Sequence, residues 1–84
     1  MMHAARFDRS PRLQRVHALL ADGVPRSTLD IARDAQVCAV NSCIAELRVN
    51  GAEIECKQIM NPATGDPIWL YQMTSPVPQS NEAP

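Results

Sequence analysis

Residues 27–51 read STLDIARDAQVCAVNSCIAELRVNG, and the fold turns on this stretch. Ser27 stands where a helix N-cap belongs, and Asp30 three positions later completes a capping-box pattern. Ile31, Ala32 and Ala35 then give a narrow apolar face whose small side chains let another helix approach closely. The turn Gln36-Val37-Cys38 follows, and if the backbone takes a positive φ at Gln36 a glutamine occupies it only at some cost. A further helix is predicted from Ala39 to Asn50, closed by Gly51. Val40, Ile44 and Leu47 recur at i, i+4, i+7 with Cys43 beside them. The opposite face carries Ser42, Ala45, Glu46 and Val49, flanked by Asn41 and Arg48.

Upstream, Ser10-Pro11 is a helix start: serine caps free amides and proline is preorganised for the first helical position. Leu13, Val16, His17 and Leu20 share one face, and Gly23 is the natural stop. Arg12 and Arg15 fall off that stripe and are expected to be solvated. Downstream of Gly51 the period changes to two. Ile54, Cys56 and Met60 alternate with Glu53, Glu55 and Lys57, the pattern of a half-buried strand. Residues 61–67 are dense in turn formers, and Ile68-Trp69-Leu70-Tyr71-Gln72-Met73 has strand propensity. Trp69, Tyr71 and Met73 fall on one side of that strand, so an exposed aromatic strip is expected if the helices do not cover it. The expected architecture is mainly α with a small β-hairpin: three helices and a two-stranded wing, a winged helix-turn-helix spanning 10–73. Residues 1–9 are expected to be a flexible arm and 74–84, TSPVPQSNEAP, a disordered proline-rich tail.

At 84 residues the chain is one domain with a core of roughly 60–65 residues, a size that leaves little volume for a catalytic pocket. It has no apolar run near the ~18 residues of a membrane span and no signal-peptide pattern, so a cytoplasmic protein is expected. Cys38, Cys43 and Cys56 then read as reduced thiols, best explained as small buried hydrophobes. No C-x-x-C pair suggests zinc. His17 lies on an apolar stripe and is expected to be a packed, hydrogen-bonded core histidine. No nucleophile–base order, phosphate loop or paired-carboxylate spacing appears, so neither an enzyme nor a cofactor or metal is expected. The net charge of −1 is unevenly spread. Up to residue 26, five arginines (6, 9, 12, 15 and 26) stand against Asp8 and Asp22. From residue 49 onward Lys57 stands against Glu53, Glu55, Asp66 and Glu82. The start of the chain is basic and the hairpin acidic.

Leu29-Asp30-Ile31-Ala32, Val37, the stretch Ile44-Ala45-Glu46-Leu47-Arg48 with Gly51 and Ile54, and the strand Trp69-Leu70-Tyr71-Gln72-Met73 carry a resemblance. Over roughly residues 11–73 the chain resembles small winged helix-turn-helix proteins of phages and prophages. The resemblance implies a DNA-binding transcriptional or replication regulator whose helix 39–50 enters the major groove of double-stranded DNA. Asn41, Ser42 and Arg48 would then face base edges, and Arg12, Arg15, Arg26, Arg33 and Lys57 would meet phosphates. A homodimer reading a palindrome would fit such a role. The chain departs from the pattern where cations are usual: cysteine stands at 43, and residues 61–67 carry Asp66 and no basic side chain. These departures support a rival expectation, a protein-binding module. Such a module would inhibit a host nucleic-acid-handling or defence complex (anti-CRISPR-like) through Glu53, Glu55, Trp69 and Tyr71.

Overall fold

Local signals position the helices as expected. In the computed structural model, which describes residues 6–78, the Ser10 hydroxyl accepts the Leu13 amide at the head of α1 (Pro11–Leu20). Leu13, Val16 and Leu20 are fully buried. At α2 (Thr28–Asp34) both halves of the capping box form: Ser27 Oγ accepts the Asp30 amide at 3.0 Å, and the Asp30 carboxylate accepts the Ser27 amide at 3.4 Å. Hydrogen bonding of its carboxylate to the Ser27 amide and side chain, with Arg33 nearby, holds the Asp30 carboxyl below its ordinary range. The third helix, α3 (Val40–Val49), buries Val40, Cys43, Ile44 and Leu47.

Helix ends decide how these pieces turn. Past α2, Gln36 takes φ +58°, and the Val37 amide returns to the Ala32 carbonyl at 3.1 Å. This is a Schellman-type closure with glutamine in the left-handed position. A side chain there is strained by about 1 kcal/mol or more relative to glycine, less the extra chain entropy glycine would lose. Gln36→Gly is therefore expected to raise the thermal midpoint by a few degrees, roughly what ~0.5–1 kcal/mol gives a domain this small. A calorimetric scan showing a lower midpoint would contradict this account of the turn. At the end of α3, Gly51 (φ +108°) makes the same closure, with Ala52 N–H on the Leu47 carbonyl and Gly51 N–H on that of Arg48. A Cβ at Gly51 would also stand 2.7 Å from Pro78 Cδ, so the position excludes side chains twice over.

The sheet has three strands, where two were expected. β2 (Glu53–Met60) and β3 (Pro67–Ser75) form the hairpin, and the two-residue β1 (Arg26–Ser27) pairs antiparallel with Leu70 and Tyr71 of β3. The order is β1-β3-β2. Hairpin register sets Ile54 opposite Met73, Cys56 opposite Tyr71 and Gln58 opposite Trp69. The helices cover only the first part of that face, burying Ile54, Tyr71 and Met73. Cys56 and Met60 are exposed, so the half-buried pattern expected of the whole strand holds for Ile54 alone.

Both ends of the domain extend beyond the limits read from the sequence. Phe7 opens a 3-10 turn (Phe7–Arg9) and packs against the core. Its amide donates to Asn50 Oδ1 at 3.0 Å, and its carbonyl accepts Gln14 Nε2. β3 runs to Ser75, and Val77 packs on the core. The parts of the expected arm and tail at 1–5 and 79–84 lie outside the described residues. His17 joins the two ends: Phe7 lies 4.7 Å from its ring, and its Nε2 accepts the Val77 amide at 3.1 Å. This is the packed, hydrogen-bonded histidine that the helical stripe predicts.

Burial lowers the His17 pKa from its ordinary value near 6.5. The unfolded chain therefore binds the His17 proton more tightly than the folded one. The stabilising contribution is complete above pH ~6.5 and is lost as pH falls through the depressed folded value. Protonated Nε2 also cannot accept the Val77 amide. Protection of the Val77 amide, measured against its intrinsic exchange rate at each pH, is expected to fall as the pH drops below ~6.5 in the wild type and to be already low and less pH-dependent in His17→Ala. Equal behaviour in the two proteins would contradict the role given to His17.

Candidate nucleic-acid interface

α3 lies between two shallow clefts. One, about 450 Å³, runs between α1 and the α2–α3 turn and is lined by Arg12, Arg15, Cys38, Ser42, Cys43 and Glu46 among others. The second, about 520 Å³, separates α2 and α3 from the hairpin and is lined by Thr28, Asn41, Cys56, Trp69 and Tyr71. Between them the outer face of α3 presents Asn41, Ser42, Ala45, Arg48 and Val49, all exposed, with Val49 at 65 %. A 3.6-residue helix buried through 40, 43, 44 and 47 must turn these positions outward.

Two of the three expected base-facing residues already hold protein partners. Asn41 Oδ1 accepts the Tyr71 hydroxyl at 2.9 Å, and Arg48 Nη2 donates to the Ile54 carbonyl at 2.6 Å. These bonds fix α3 against the hairpin. Ser42 is exposed at the start of the helix, with no side-chain hydrogen bond among the described residues. Ala45 and Val49 lie nearest the centre of the exposed face, and neither carries a side-chain donor or acceptor that would mark it in the sequence as a base reader.

The expected phosphate ligands divide by partner. Arg12 spans α1 and α3, with Nη2 2.8 Å from Glu46 Oε1 and Nη1 3.2 Å from Cys43 Sγ. Its side chain is half-exposed rather than fully solvated. Arg26 pairs with Asp22 at 2.6 Å, and Arg33 pairs with Asp30 and Asp34 at 3.0 and 3.1 Å. Arg15 instead donates to the Ala35 and Gln36 carbonyls, and no carboxylate among the described residues pairs with it. Lys57 is exposed on the hairpin, with no ion pair among the described residues. Exposed ion pairs are individually weak and can exchange for phosphate, but each exchange releases a carboxylate that must be rehydrated next to DNA.

The aromatic strip is split by the edge of the helical layer. Tyr71 is 8 % exposed and belongs to the core, which corrects its assignment as an exposed contact residue. Trp69, two residues away on the same face, is 49 % exposed beyond the helices. Glu53 and Glu55 are exposed on β2. The cysteines divide too: Cys43 is fully buried, whereas Cys38 and Cys56 are exposed and are not the buried hydrophobes expected. Because Cys43 is buried, the lack of a cation at position 43 does not bear on the outer face of α3. Among the described residues no helix is long and apolar enough to cross a membrane.

No protein-family model, curated protein or solved structure matches the chain.

Proposed function

We propose that the chain is a DNA-binding protein of the winged helix-turn-helix type, acting as a small phage-type transcriptional or replication regulator. In this reading α2 and α3 are the helix-turn-helix pair and the β2–β3 hairpin is the wing. The outer face of α3 carries the proposal. Glu46, the one carboxylate of that helix, is drawn toward α1 and neutralised by Arg12, leaving small and polar side chains in solvent. Small residues let a helix approach the floor of the major groove, where Ala45 and Val49 offer apolar contact to thymine methyls. Ser42, with Asn41 and Arg48 at the margin, offers hydrogen bonds to base edges. Arg15 and Lys57, which have no carboxylate partner among the described residues, are the freest phosphate ligands, and Arg12, Arg26 and Arg33 contribute less. With so few free cations the affinity should fall with log salt at a slope of only about −2 to −4. An anisotropy titration of a random-sequence duplex from low to physiological salt reads that slope, and Arg15→Gln should reduce its magnitude by about one. No binding even at low salt would overturn the reading.

One observation favours a second reading. Trp69 stands half in solvent beside exposed Cys56 and Met60, with Glu53 and Glu55 on the same hairpin. A half-exposed tryptophan with apolar neighbours on its own face is a typical anchor for a protein contact. On this reading the hairpin docks on a host nucleic-acid-handling or defence complex. Capture of that complex should then be lost in Trp69→Ala while the circular dichroism spectrum is unchanged.

A further inference from the structure

β2 lies at the edge of the sheet, and among the described residues only its inner side is paired. Strand edges offer unpaired amides and carbonyls to any passing strand, and proteins commonly guard them with charge. Here the guard is one acid and one base on either side of Cys56: Glu55 and Lys57, both exposed and without an ion pair among the described residues. Arg48 holds the Ile54 carbonyl at the head of the strand, and that oxygen keeps a second lone pair. From Glu55 to Met60 every residue is exposed.

We propose that the β2 edges of two copies of this chain pair antiparallel about a two-fold axis at Cys56, forming a homodimer with one continuous sheet. A two-fold that makes two edges antiparallel must run perpendicular to the sheet. Residues meeting across it therefore share a face, and the axis passes through a residue position. This leaves few registers. Centring on Lys57 sets lysine against lysine, centring on Glu55 sets glutamate against glutamate, and centring on Ile54 sets Glu53 against Glu55 twice. Centring on Gln58 leaves both charges unmatched. Centring on Cys56 places Glu55 opposite Lys57 at both ends, with Ile54 opposite Gln58 and Cys56 opposite its own copy. The charges that repel an arbitrary strand thus select a second copy of this one. The dimer does not rest on the DNA-binding reading: Glu55, Cys56 and Lys57 lie on β2 and not on α3, although Lys57 is also named above as a phosphate ligand.

The test is sedimentation equilibrium of the full chain over a wide concentration range, with charge exchange at the two positions. E55K or K57E alone sets like charges opposite one another, and each should weaken dimerisation by about tenfold or more. The double variant E55K/K57E should restore it, and an equimolar mixture of the two single variants should form the heterodimer. All are exposed positions, and unchanged circular dichroism verifies the fold. In a Cys38→Ser background a short bismaleimide should link Cys56 to its copy, and Cys56→Ser should abolish the link. A monomer at every concentration overturns the proposal, as does a dimer indifferent to the single charge reversals.

Discussion

Leu47→Ala is expected to unfold much of the protein at physiological temperature. Leu47 is fully buried in the single core, alongside Leu13, Val16, Leu20, Ile31 and Ile44. Removing a leucine side chain from such a site costs about 2–5 kcal/mol, the spread reflecting how far neighbours collapse into the cavity. A domain of this length has a total stability of only about 5 kcal/mol. Its midpoint should therefore fall by about 8–40 °C, at roughly 4–8 °C per kcal/mol. The core draws on all three helices and on Ile54, Tyr71 and Met73, so the loss should be cooperative and helix and sheet signals should melt together. A circular dichroism melt with an unchanged midpoint would contradict the packing described.

Ala45→Glu should do the opposite: leave the fold intact and remove DNA binding. Ala45 is exposed at the middle of α3, and glutamate is a good helix former, so stability should change by no more than ~0.5 kcal/mol. Against DNA the same change places a carboxylate where small side chains would meet the groove. Arg12 already serves Glu46. With few free cations to offset a new negative charge, affinity at low salt should drop about tenfold or more. Retained affinity in the anisotropy titration would mean that α3 does not face the DNA.

What the sequence disclosed and what it hid divide by distance along the chain. The caps at Ser10 and Ser27, the apolar stripes of α1 and α3, the Gly51 stop and the left-handed Gln36 all depend on residues a few positions apart, and all were legible. β1 was not, because Arg26 and Ser27 have no strand signal of their own and become a strand only by pairing with Leu70 and Tyr71. The partner of Arg12 was hidden likewise: helical periodicity places the arginine off the buried stripe but cannot show Glu46 thirty-four residues away. Trp69 and Tyr71 share a strand face and an alternation pattern, so nothing local distinguishes the core residue from the exposed one. The difference arises where the helical layer ends. Phe7 and Val77 were assigned to mobile ends because single apolar residues carry no periodicity, although both pack beside His17 or on the core.

The most direct test of the central claim is a residue-by-residue amide shift map of the full chain titrated with a short duplex at low salt. If α3 is the reading helix, the perturbations concentrate on Asn41, Ser42, Ala45, Arg48 and Val49, with weaker changes at Arg15 and Lys57. A map that leaves residues 40–49 unmoved, whether it shifts only the hairpin around Trp69 or nothing at all, would contradict it.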